Sequence, residues 1–182
     1  MVAEAVRQLV RRAVAAALDA GGVLYAVIGG NAVGEWVGRI DDGMVRNTRD
    51  VDILLRRGDL PAADAAMAAA GFVRADDAGI PIYLNGPDGM PSKGIHVILA
   101  NEKVRETDAV PAPDVTDSER ALDFQVVALE GLVRMKLVAH RLKDQVHLRD
   151  FLGVGLIDAT WPARFPPPLD ARLQHVLDTP DG

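Results

Sequence analysis

Two aspartates one residue apart, Asp50 and Asp52, open an apolar run that continues through Ile53, Leu54 and Leu55. On a strand, residues two apart project from the same face, so the two carboxylates point together while Val51, Ile53 and Leu55 point into the core. Their Cα atoms would lie roughly 6.6 Å apart at about 3.3 Å rise per residue, close enough to converge on one or two Mg²⁺ ions. Two-metal phosphoryl chemistry needs that convergence, because the ions clamp both the attacking and the leaving oxygen. A cation would also relieve the repulsion between the two acids. The plain alternative is that Asp50 belongs to the turn Asn47-Thr48-Arg49-Asp50 and pairs with Arg49.

A second feature bears on that choice. Gly29-Gly30 stands between an apolar run, Val23 to Ile28, and a short helical stretch ending near Gly38, with Asn31 able to cap near its start. A glycine turn there presents backbone amides at a helix N-terminus, where a phosphate can approach the main chain. Glycine turns also serve packing alone. Other phosphate motifs are absent: there is no Gly-x-x-x-x-Gly-Lys-Ser/Thr, and Gly29 to Gly34 lacks the Gly-x-Gly-x-x-Gly spacing.

The elements that must hold these residues follow an alternating grammar. Residues 3–19 fit an amphipathic helix, 23–28 a strand covered on both faces, and Val51 to Leu55 a second strand followed by an alanine-rich helix to about Ala70. Shorter strands are expected at 72–74, 80–84 and 94–99, with Pro81 confining its segment to an edge. The Pro- and Asp-rich stretch 106–118 reads as a linker. Beyond it a strand over 124–128, helices over 129–142 and 144–153, and a terminal helix from Leu169 are expected. The pattern is α/β (α+β): a mixed sheet flanked by helices over 1–106 and a mainly helical C-terminal lobe over 119–182 that completes the same compact unit.

A chain of 182 residues with a net charge of -6 lacks the broad basic surface of a sequence-independent nucleic-acid binder. It has no cysteine, so a metal here is expected to be a hard cation on carboxylates. No stretch approaches a bilayer span, no partner membrane is expected, and the expected location is cytoplasmic.

Strand, Gly29-Gly30-Asn31-Ala32, helix, loop and Thr48-Arg49-Asp50-Val51-Asp52 together resemble the nucleotidyltransferase superfamily with its polymerase-β-like fold. The whole length looks like small bacterial AbiEii-like and antibiotic nucleotidyltransferase-like proteins. The resemblance implies an NTP substrate, Mg²⁺ on Asp50 and Asp52, nucleotide binding by Gly29, Gly30, Asn31, Arg49, Lys136 and Lys143, and transfer of a nucleoside monophosphate to an acceptor hydroxyl. The acceptor stays open between a small molecule, a tRNA end and a protein. Many such proteins carry a third carboxylate on a later strand; the corresponding position here is His96. His96 reads either as a base, since imidazole titrates near neutrality, or as a neutral strand residue. Glu102 is a weaker substitute. The same residues also fit a catalytically impaired nucleotide-binding or regulatory module. Lys136, His140, Lys143 and His147, spaced by four, three and four, would form one stripe if a single helix ran through them.

Overall fold

A computed structural model describes residues 2–46, 48, 50–77 and 80–180, without the side chains of 2–10 and 77. The helices are α1 (Val2–Ala20), α2 (Gly29–Gly38), α3 (Leu60–Ala69), α4 (Leu129–Ala139), α5 (Leu142–Gly153) and α6 (Leu169–Asp178). The strands are β1 (Tyr25–Ile28), β2 (Val51–Leu55), β3 (Phe72–Asp77), β4 (Ile80–Asn85), β5 (Ile95–Leu99), β6 (Ser118–Arg120) and β7 (Gln125–Val127). They form one seven-stranded mixed sheet in the order β3-β4-β5-β2-β1-β7-β6. Among the described residues no helix is long and apolar enough to cross a membrane.

The sheet is organised around β1 and β2, which are antiparallel neighbours, with β7 parallel to β1 and β5 parallel to β2. All four residues of β1 are buried, as a continuous apolar run covered on both faces requires. The strand begins at Tyr25 rather than at Val23, and Leu24 stays exposed. Register then builds the site: Ile28, the last residue of β1, lies opposite Asp52, and Asp52 lies opposite His96 on β5. One row across three strands therefore joins the glycine turn, the second aspartate and the histidine.

Helix α2 carries Gly30, Gly34 and Gly38 at four-residue spacing, one row along its surface. The loop after it lies against that row. A methyl group added at Gly30 would stand 2.5 Å from Thr48 Oγ1, and at Gly38 3.2 Å from Val45 Cγ2. Arg46 anchors the loop to α5 by donating to both carboxylate oxygens of Asp150, at 2.7 and 3.0 Å. On the sheet side Trp36 donates from Nε1 to the Val127 carbonyl at 3.0 Å, tying α2 to β7.

Several expectations need correction. Strand β4 is not at an edge: it pairs with both β3 and β5. Its β5 ladder covers only Ile82 and Tyr83, so the missing N–H of Pro81 falls where that ladder has ended. The stretch 106–118 is pinned rather than free: Ala112 exchanges backbone hydrogen bonds with Glu102 and Asn101, Pro113 packs on Gly131 of α4, and Arg56 grips Asp114 with two hydrogen bonds. That grip, with further donors from Thr116 and Asn101, holds the Asp114 carboxyl well below the usual range. Strand β6 was not foreseen; three residues of mixed polarity carry no periodic signal. Finally, two helices are present as expected, so the condition for one stripe from Lys136 to His147 is not met, and the break falls earlier than residue 143. His140 adopts the left-handed conformation (φ 47°) and ends α4, and α5 starts two residues later.

Candidate active site

The site begins with a glycine that no other residue could replace without movement. Gly29 has φ +65°, and a methyl group placed on it would sit 2.0 Å from Asp52 Oδ2. The turn that opens α2 is thus pressed against the carboxylate of the neighbouring strand. The N-cap position is Ile28, and no side chain caps the helix start. Asn31 does not cap it: its side-chain amide donates to the backbone carbonyl of Asp50 at 2.7 Å, locking the turn to the entry of β2.

Asp50 and Asp52 open on a cleft of about 220 Å³ between the sheet and α4–α5. Gly29 lines it from the turn, and Lys136, Arg141, Lys143 and Asp144 line it from the helical side. Val104, Arg105, Asp108, Val110 and Pro111 contribute a third wall. Neither the Asp50 nor the Asp52 carboxylate accepts a hydrogen bond from a described residue. Burial pushes the Asp52 carboxyl up and Asp50 adds to that effect, against the pull of His96, Lys136 and Lys143.

His96 Nδ1 stands 3.7 Å from Asp52 Oδ1, an ion pair only when the imidazole is protonated and too long for a hydrogen bond. Gly30 and Asn31 face the other side of α2, in a hollow with Thr48, Arg39 and Arg46. Arg49 lies outside the described residues. Glu102 does not reach the cleft: Arg57 holds it through two hydrogen bonds of 2.6 and 2.8 Å, and it lines a separate hollow. Lys136 and Lys143 meet at the same cleft from two helices instead of one stripe. Lys136 is buried and donates to Asp144 Oδ1 at 3.0 Å, whereas Lys143 is exposed. The residues that sequence reading missed, Arg105 and Asp108, belong to an irregular segment where no spacing rule places a side chain.

Among the described residues no group of three His, Asp or Glu side chains could hold a metal ion by itself. The donor set still fits a hard cation that completes its shell from phosphate and water. Two carboxylates at one cleft, Asp50 just before β2 and Asp52 on it, both unclaimed by described donors, supply the oxygens such an ion prefers. An imidazole beside them is a poor ligand for Mg²⁺.

No protein-family model matches the chain, and no curated protein matches it. Solved structures do. The antibiotic-resistance factor ANT(2'')-Ia in solution is 15% identical and superposes with a TM-score of 0.58 over 94% of this chain and 97% of its own. The crystal structure of ANT(2'')-Ia with adenylyl-2''-tobramycin gives a TM-score of 0.59 at 14% identity, covering 92% and 96%. An antigenic nucleotidyltransferase-like protein from Paracoccidioides brasiliensis gives 0.52 at 16% identity, covering 94% and 85%. The mixed sheet and its flanking helices therefore share, over nearly the whole chain, the fold of ANT(2'')-Ia.

Proposed function

We propose that the protein transfers a nucleoside monophosphate from an NTP to an acceptor hydroxyl. The acceptor oxygen forms a bond to the α-phosphorus, the α–β phosphoanhydride bond breaks, and pyrophosphate leaves. The observation that carries this reading is the fit of Gly29 against Asp52 at a cleft whose opposite wall presents Lys136 and Lys143. A triphosphate lying there would meet a glycine turn at a helix start, two carboxylates and two ammonium groups.

Asp50 and Asp52 are the residues that would hold Mg²⁺, which when bound neutralises phosphate charge and aligns the reacting oxygens. Gly29 lets the phosphates approach the main chain, and Asn31 fixes the turn by its bond to Asp50. Lys136 and Lys143 balance the charge that develops on pyrophosphate. His96, across from Asp52, is the candidate to take the proton from the acceptor hydroxyl. In this reading residues 1–106 supply the carboxylates and 119–182 the lysines.

The test is incubation with labelled NTPs, Mg²⁺ and aminoglycoside, tRNA and protein acceptors. Wild type should label one acceptor class and Asp52→Ala none. An absence of both labelling and NTP binding by wild type would end the proposal. A histidine in place of the third acid supports a second reading, a nucleotide-binding module with impaired turnover. It predicts NTP binding without labelling, and a gain of labelling in His96→Asp.

A further inference from the structure

The most deeply buried charge at the cleft belongs to none of the groups so far given a part. Asp144 is fully buried, yet it lies on the helix start that faces Asp50 and Asp52. Its Oδ1 accepts from Lys136 Nζ at 3.0 Å, and its Oδ2 from Arg141 Nε at 2.7 Å and from the Arg141 backbone N–H at 3.2 Å. It therefore joins the last turn of α4 to the first turn of α5 across the left-handed residue His140.

We propose that Asp144 is a positioning residue, resting on the reading above: it holds the ammonium of Lys136 and the guanidinium of Arg141 side by side at the cleft, as paired cations for the triphosphate. Burial costs an ammonium group more than it costs a surface lysine, and a lysine so placed needs a fixed counter-charge to stay protonated. Lys136 is 5% exposed, and Asp144 is the only described acid in an ion pair with it. On balance burial holds the Lys136 ammonium below its usual range; Asp144 and, more weakly, Asp52 work against that, and Arg141 adds to it. His147, also on α5, is pushed down to about 4 by burial and adds no charge near neutrality. The arrangement separates the duties of two acids: Asp52 is left for the ligand, and Asp144 is spent on the cations.

Asp144→Asn keeps the size and the hydrogen-bonding shape but removes the charge. Its Mg·ATP affinity, measured by calorimetry, should match wild type within about threefold near pH 6 and fall by about tenfold near pH 9, where an unsupported lysine deprotonates. Wild type and Asp144→Glu should show no such added slope. A loss equal at both pH values, or no loss, overturns the proposal, because a purely structural role does not track protonation. The Lys136 side chain followed by NMR gives a readout free of nucleotide: its titration should move down in Asp144→Asn, and an unmoved titration overturns the proposal. Should wild type bind no nucleotide, the functional reading fails and this titration still decides the role of Asp144. Should Asp144→Asn not fold, the wild-type Lys136 signal decides: an ammonium retained through about pH 9 supports the clamp, and deprotonation below about pH 8 overturns it.

Discussion

Asp52 and Asp144 face the same cleft from opposite walls, and the protein treats them in opposite ways. Asp144 is surrounded by donors and its carboxyl is held below the usual range: burial would raise it, but hydrogen bonds from Arg141 and Lys136 outweigh that effect. Asp52 is only half-buried, has no described hydrogen-bond donor, and is raised, chiefly by its partial burial. A buried acid with its partners built in is part of the framework. A half-buried one without them is stored electrostatic discomfort that a bound cation can relieve.

The comparison can be broken first at Asp144. Replacing it with Ala leaves Lys136 buried without a partner, and chemical denaturation should show a loss of about 3–5 kcal/mol, the usual cost of halving a buried pair. Asp52→Asn should behave in the reverse sense: melting unchanged or higher, while nucleotide transfer drops by about 10²–10³-fold, as when an electrostatic stabiliser is removed. A stability loss in Asp52→Asn as large as that in Asp144→Ala would erase the distinction. Gly29→Ala tests the contact between turn and carboxylate; it should cost about 1–3 kcal/mol through the left-handed backbone and the clash with Asp52 Oδ2. Gly29→Ala combined with Asp52→Gly should recover part of that cost, because the obstructing carboxylate is gone.

The smallest effect is the pH dependence of stability. Asp52 has a folded value above its unfolded value, so the folded state binds more protons between the two. Stability from this group is present below the unfolded value near 3.8 and is lost as pH rises through the raised folded value. Asp144 has a lowered folded value, so its contribution is present above 3.8 and is lost as pH falls through the folded value. Denaturation series on Asp52→Asn and Asp144→Asn should therefore remove opposite slopes, on opposite sides of about pH 4.

The uneven legibility of the sequence follows the same divide. Asp50 and Asp52 could be placed together from strand periodicity, and Gly29 from the apolar run before it, because each depends on neighbours close in the chain. The row Ile28–Asp52–His96 depends on register between three strands, which no periodicity fixes; only the resemblance singles out His96. What escaped was set by distant partners. The charge spacing of Lys136, His140, Lys143 and His147 suits a helix, but the left-handed turn at His140 and the ion pair to Asp144 override it. The Asn31 side chain, expected to cap near the start of its helix, is diverted by a carbonyl nineteen positions away. Segment 106–118 has the composition of a linker, and its contacts with Arg56, Gly131 and the 101–102 backbone make it a wall.

That wall has a consequence for how such a protein can diverge. Residues 104–111 border the cleft but take no part in any strand pairing or helix, so their side chains are free of the period-two constraint that governs the sheet. The contour of the opening can drift there by single substitutions, insertions included, while the register that brings Gly29 to Asp52 stays untouched. Old chemistry and new selectivity are thereby written in separate stretches of the chain, and one can be revised without erasing the other.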